Sequence, residues 1–176
     1  IKYYVYSNIK TFREIIDLLG GVTIDVPIDL DWDDPIQDLH IHIKKGEQLM
    51  DGETAEKYLR FRHPNGGYTK EMLKYYDGSD LNRIQAQQGF INEMIKQKVN
   101  ISYLPKLNNI VDTVFKDLET NITLSEIIKM IKTVNKFSFE KVEFNTLPGV
   151  SMESSPYYYL YDEAKIKELI NVKFFK

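Results

Sequence analysis

The sequence predicts a mixed α/β fold of the α+β kind, on three observations. Strand-like alternation and helix-like periodicity take turns along all 176 residues. Hydrophobic residues make up 43% and charged residues 28%, ordinary values for a globular chain. No internal repeat or low-complexity tract interrupts the pattern. The length suits one domain, and no composition shift marks a linker, so 1–176 reads as a single domain.

Each element has its own signal. Ile1–Ser7 alternates weakly and is rich in Tyr, which reads as a strand. Phe12, Ile15, Ile16 and Leu19 recur at helical spacing and predict a helix over 10–19. Gly20-Gly21 stops it, because glycine takes positive φ freely. Val22–Val26 is a β-branched strand ended by Pro27. Residues 29–38, with five Asp around Trp32 and Pro35, read as an acidic loop. Residues 39–43 alternate Leu, His, Ile, His, Ile, a half-buried strand. Asp51-Gly52 opens a short helix with Ala55, Tyr58 and Leu59 on one face. Residues 63–79 are too long for a plain turn, and such loops are commonly functional or mobile. Ser79 or Asp80 can cap a long helix with the stripe Leu81, Ile84, Ile91 and Ile95. A further helix is expected over 106–118. Thr123-Leu-Ser-Glu126 is a capping box that opens another, over 124–135. Val142–Leu147 reads as a strand, Pro148-Gly149 as a turn and Tyr157–Tyr161 as a strand. Asp162 caps a terminal helix carrying Ala164, Ile166, Leu169 and Ile170.

Composition removes several functions. There is no cysteine, which excludes thiol nucleophiles, Cys-ligated zinc, iron–sulfur clusters and disulfides. A net charge of −3 argues against a general polyanion or nucleic-acid binder. The chain holds no apolar run of about 18 residues and no signal-peptide pattern. The basic residues are 19 Lys but only 4 Arg, and three of those, Arg60, Arg62 and Arg83, fall within 24 residues. Guanidinium is a planar fork suited to phosphate or carboxylate oxygens. Such clustering suits an anion site and, equally, chance placement with local ion pairs to the nearby acids.

If Tyr58–Arg62 is extended, Arg60 and Arg62 share a face and can flank a phosphate; if it is helical, they point apart. Arg83 and Gln87 are four apart on one helix face, near its electropositive N-terminus. Asp80 could cap that helix, orient an Arg or assist a metal, with capping the simplest role. The acidic loop 29–38 lacks EF-hand spacing and reads as a solvated loop rather than a metal site. His40 and His42 have no obvious partner, His63 follows Arg62 and could touch an anion, and all three read more simply as structural. The Tyr clusters at 3, 4, 6 and 157–161 could line a groove, but ordinary strand packing explains them more simply. No Walker loop, G-x-S-x-G, H-E-x-x-H or Rossmann pattern is present.

In order, Phe12-x-x-Ile15-Ile16-Asp17-x-Leu-Gly20-Gly21-Val22, Gly46-x-x-x-Met50-Asp51-Gly52-x-x-Ala55, Tyr58-x-Arg60-x-Arg62 and Asp80-x-x-Arg83-Ile-Gln-x-Gln87-Gln88-x-Phe90 resemble the LytR-CpsA-Psr family. Leu147-Pro148-Gly149 and the Tyr-rich strand extend the resemblance over nearly the whole chain. The resemblance implies a central β-sheet flanked by helices. It implies an enzyme anchored on the outer face of a Gram-positive-type cell membrane. Such enzymes move a wall glycopolymer, of teichoic acid or capsule type, from a polyprenyl-pyrophosphate carrier to peptidoglycan. The bond formed is a phosphodiester, usually with Mg²⁺. Arg60, Arg62 and Arg83 would hold the pyrophosphate, Gln87 would support its oxygens, and Asp80 would orient an Arg or the phosphate region. The polyprenyl tail would lie in an apolar tunnel.

The family's N-terminal part, with its anchor, metal-binding aspartates and a further Arg, has no match here. The chain is therefore expected to be the C-terminal part of the catalytic domain: either upstream residues carry the remaining sheet strands and Mg²⁺ ligands, or it is a reduced member that lacks them, and in both cases no metal ligand is expected on it. Loop 63–79 exceeds the family's minimum, which bears on access to the site. Two functions follow: the transferase, or a non-catalytic extracytoplasmic module that binds a phosphorylated wall polymer or lipid carrier. A transcription regulator fits poorly, for want of a basic helical stripe.

Overall fold

A computed structural model describes residues 3–98, 117–123, 125–126, 129, 143–152, 154–155 and 158–175. The fold is mixed α/β. The chain divides into two compact units, Ile1–Phe139 and Glu140–Lys176.

In the first unit the order is β1 (Val5–Ser7), α1 (Ile9–Leu18), β2 (Val22–Val26), β3 (Leu30–Asp34), β4 (Leu39–Ile43), β5 (Gly46–Met50), α2 (Gly52–Arg60), a 3₁₀ turn (Met72–Lys74), α3 (Asp80–Lys98) and β6 (Leu118–Thr120). The strands pair antiparallel as β1–β6, β2–β5 and β3–β4. Asn8 caps α1 by accepting from Thr11 N at 2.8 Å. The helix ends on Gly20 and Gly21, with φ of 76° and 77°, whose N–H groups close onto Asp17 O and Ile16 O. Asp51 caps α2 through Thr54 N.

The core lies between β2, β3 and β4 and the three helices, around Ile16, Val22, Ile41, Met50, Phe61 and Phe90. Burying a side chain such as Phe61, 0% exposed, contributes roughly 1.5–3 kcal/mol. Helix α3 reaches this core through Ala86, Phe90 and Met94, one i, i+4 row, rather than through the expected stripe. Gln97 then reads the edge of β2, its side chain donating to Thr23 O at 2.7 Å and accepting from Thr23 N at 2.8 Å.

One expectation is corrected and two segments gain detail. The acidic segment 29–38 is not all loop: Leu30–Asp34 is strand β3. Leu30 and Trp32 pack toward the core while Asp31 and Asp33 face outward, and that outward acid pattern hid the alternation. Gly46–Met50 is a strand that was not expected at all. Loop 63–79 is tied down at Met72 and Tyr76, 9% and 3% exposed, with the Tyr76 ring edge-on to Phe61 at 5.1 Å.

The second unit holds β7 (Gly149–Ser151) paired with β8 (Tyr159–Tyr161), then α4 (Glu163–Phe174), capped by Asp162 as expected. Residues 143–147 are not strand, and Gly149 opens β7 rather than ending a turn. The capping box forms, with Thr123 N donating to Glu126 Oε2 at 2.9 Å. The helix expected over 106–118 and most of that over 124–135 lie outside the described residues. Of the Tyr clusters, Tyr4, Tyr6, Tyr158, Tyr159 and Tyr161 stand exposed rather than packed as strand interior, Tyr3 is half-buried, and Tyr157 lies outside the described residues.

Gly52 is where α1 and α2 touch. A Cβ there would collide with the backbone of Arg13, while Gly52 N donates to Asp17 Oδ1 at 2.7 Å. Alanine's helix preference is worth at most about 1 kcal/mol. The collision is with backbone and cannot relax by side-chain rotation. Gly52→Ala is therefore expected to destabilise by about 1–3 kcal/mol, read as a lower urea midpoint at unchanged slope.

Candidate functional site

Helix α2 stops at Arg60, and Phe61 turns extended with φ −58° and ψ 131°. The buried Phe61 ring anchors this break. Neither alternative read from the sequence holds in full, because Arg60 is helical and Arg62 is not. Both nonetheless reach the same concavity, a pocket of about 310 Å³. Arg60, Arg62, Arg83 and Gln87 all line it, with His63, Trp32, Asp34, Gln37, Leu39 and Leu59.

Each cation is held differently. Arg60 Nη1 donates to Glu56 Oε1 at 2.9 Å and Nη2 to Gln37 Oε1 at 2.7 Å. Glu56 is 4% exposed and also pairs with Arg13. Burial would raise its carboxyl, but the hydrogen bonds from Arg13 and Arg60 outweigh that and hold it below the ordinary range. All four arginines thus serve this region, Arg13 from behind. Arg62 Nε donates to Gly78 O at 3.3 Å, which joins the two ends of loop 63–79. Arg83 Nη2 pairs with Asp80 Oδ1 at 2.5 Å, while its buried Nε has no hydrogen-bond partner among the described residues. Asp80 therefore touches an Arg and does not itself line the pocket. Gln87 Nε2 donates to Leu59 O at 3.3 Å.

Sequence reasoning does not single out Glu56, Arg13 and Gln37, while His63, weighed as an anion contact and read as structural, does line the pocket. The Glu56–Arg60 spacing of i, i+4 was the available signal. His63 Nδ1 lies 2.8 Å from Tyr68 Oη. Burial lowers the His63 pKa, and the charges of Arg62 and Arg83 lower it further. An anion in the pocket would offset those charges. The His63 pKa, followed by NMR, is expected below 6.5 in the free chain and to rise when pyrophosphate is added.

The pocket does not fit a hard cation such as Mg²⁺. Asp34 already accepts from Ile36 N at 3.0 Å, Gln37 N at 3.2 Å and Gln37 Nε2 at 2.6 Å. Asp80 is committed to Arg83. A positive pocket with its flanking carboxylates engaged suits an anion.

An adjoining cavity of about 530 Å³ shares Leu59, Arg60 and Gln87 and adds Ile9 and Phe12. On the outer face of β3–β4, His40 and His42 do have partners, Asp33 and Asp31, which corrects the expectation for them. The hydrogen bond to Asp33 raises the His40 pKa.

The sequence model of the LytR_cpsA_psr family matches residues 1–173. The chain belongs to the LytR-CpsA-Psr family. Among its family relatives, the polyisoprenyl-teichoic acid–peptidoglycan teichoic acid transferase TagV of Bacillus subtilis is 25% identical over 173 residues, covering 96% of this chain and 41% of TagV. TagT of the same organism, similarly named, is 27% identical over 172 residues, covering 96% of this chain and 49% of TagT. The crystal structure of B. subtilis TagV superposes with a TM-score of 0.73 at 24% identity, covering 98% of this chain and 62% of that one. The LytR-CpsA-Psr chain described here thus spans half or less of the length of these two relatives. Among the described residues no helix is long and apolar enough to cross a membrane.

Proposed function

We propose that this chain supplies the pyrophosphate-binding wall of a cell-wall glycopolymer transferase. The enzyme moves a polymer from a polyprenyl-pyrophosphate carrier to peptidoglycan, on the outer side of a Gram-positive-type membrane. The observation that carries the reading is one pocket lined by Arg60, Arg62 and Arg83, with the buried Nε of Arg83 unpartnered among the described residues. The names of the related teichoic acid transferases support the substrate and acceptor classes.

In this reading the arginines grip the non-bridging oxygens of the pyrophosphate. The acceptor hydroxyl bonds to the phosphorus that carries the polymer, its proton leaves to solvent, and the bridging P–O bond breaks. Polyprenyl phosphate departs with the extra negative charge, which the guanidiniums stabilise. Phosphoryl transfer asks mostly for such positioning and charge stabilisation. Asp80 orients Arg83, Glu56 and Gln37 orient Arg60, and Gln87 supports the phosphate oxygens. The apolar side of the adjoining cavity, at Ile9, Phe12 and Leu59, receives the start of the polyprenyl tail. Mg²⁺ would neutralise phosphate charge from ligands other than the pocket's own carboxylates.

The test has two readouts on the protein carrying this chain: calorimetric titration with a short polyprenyl pyrophosphate, and transfer of labelled polymer to peptidoglycan. Binding and transfer that both fall in Arg60→Ala/Arg83→Ala support the reading. Full binding in that variant overturns it. Binding without any transferred polymer makes the chain a carrier-binding module instead.

A further inference from the structure

We propose that Asp33, His40 and His42 form a binding site for a divalent transition metal of the zinc class on the outer face of the β3–β4 hairpin. The strand register builds it. Asp31 faces His42 and Asp33 faces His40 across the ladder, and a period of two turns all four side chains to the same side. That side is opposite Trp32 and Leu39, which line the arginine pocket, so the two sites lie back to back across one hairpin.

One ligand atom from each of Asp33, His40 and His42 falls within 4.8 Å of the others. Ligands about 2.1 Å from a tetrahedral zinc ion stand about 3.4 Å from each other. His42 Nε2 and Asp33 Oδ1 are 3.4 Å apart. His40 Nδ1 and Asp33 Oδ1, at 2.5 Å, share a proton. A metal ion replaces that proton, and both side chains are exposed enough to open by the ångström required.

Two outer contacts resemble those that support real metal sites. His42 Nδ1 lies 2.6 Å from Asp31 Oδ1, which sets the tautomer that leaves Nε2 free to ligate. Asn65 Nδ2 donates to Asp33 Oδ2 at 3.1 Å and leaves Oδ1 for the ion. Asn65 is itself held by its own N–H on Asp31 O at 2.8 Å. Two imidazoles and one carboxylate select Zn²⁺, Ni²⁺ or Cu²⁺ and not Mg²⁺, which asks for six oxygens. The ion would fasten β3 to β4 from outside.

The experiment is calorimetric titration of the tag-free chain with Zn²⁺, with Co²⁺ absorption as a second probe of geometry. One ion per chain is expected, with a higher unfolding midpoint and no displacement by excess Mg²⁺. Asp31→Asn is expected to weaken Zn²⁺ by about 10–100-fold, the usual effect of losing an outer partner. His40→Ala and His42→Ala lose more than that, while His63→Ala binds as the parent does. All these positions are exposed, and thermal melts verify that each variant folds. No zinc bound at one equivalent, undiminished affinity in His40→Ala/His42→Ala, or displacement by Mg²⁺ would each overturn the proposal.

Discussion

Arg60→Ala/Arg83→Ala is expected to bind a short polyprenyl pyrophosphate about two to four orders of magnitude more weakly than the parent chain. A sheltered charge-assisted hydrogen bond is worth about 1.5–3 kcal/mol, and each 1.4 kcal/mol is tenfold. The two arginines are not equal. Arg60 spends donors on Glu56 and Gln37, whereas Arg83 keeps a buried N–H with no partner among the described residues. Arg83→Ala should therefore cost more than Arg60→Ala. Arg83→Lys keeps the charge but not the planar fork, so it should recover only part of the loss. Calorimetry on the four variants gives the order directly. Equal affinities across the series would remove the pocket from the reaction.

The second large effect concerns stability. Arg13→Ala/Arg60→Ala leaves the Glu56 carboxylate, 4% exposed, with neither guanidinium. An uncompensated buried charge costs about 3–5 kcal/mol. Adding Glu56→Gln to that pair should return most of it, since a neutral amide escapes the charge penalty. The same group sets a pH limit in the parent chain. The folded carboxyl is held below its ordinary 4.5, so its stabilisation is present above 4.5 and is lost as pH falls through the lower folded value. Melting followed from pH 6 down to 3 (a range spanning that ordinary value of 4.5) should show a decline that Glu56→Gln flattens.

Much of this fold could be read in the sequence because local signals agreed with tertiary need. Asp51 and Asp162 cap helices where the sequence predicts a start, and Asn8 adds a cap to α1 that the apolar stripe alone does not reveal. The paired glycines end α1 with the backbone angles only glycine takes cheaply. The failures have a physical pattern. In β3 the core-facing alternation is carried by Leu30, Trp32 and a half-buried Asp34, so acidic composition outweighed period two. In α3 the apolar residues at 81, 84, 91 and 95 form the more regular stripe. The contacts to the core fall on Ala86, Phe90 and Met94, a row whose small alanine weakens its apolar signal.

The site was legible for a similar reason and to a similar limit. Sparse arginines in a lysine-rich chain flag a need for fork geometry, and Arg60, Arg62 and Arg83 do meet at one pocket. Whether 60 and 62 converge depended on where α2 breaks, which Phe61's burial decides and no local spacing encodes. Gln37 arrives from a hairpin turn 23 residues away, and Arg13 acts only through Glu56. Such partners exist only once the chain has folded.

Loop 63–79 is pinned by Asn65 on β3 and by Met72 and Tyr76 in the core, and the stretch between those pins is exposed. The chain contains no cysteine. A single thiol placed at the exposed Lys70 would thus be the only reactive sulfur in these 176 residues. A fluorophore attached there would ride on a short bridge with both abutments fixed, two residues from Tyr68, whose hydroxyl contacts His63 of the arginine pocket. The loop thereby offers a built-in mounting point for an optical reporter of carrier capture, one that leaves core and pocket chemistry untouched.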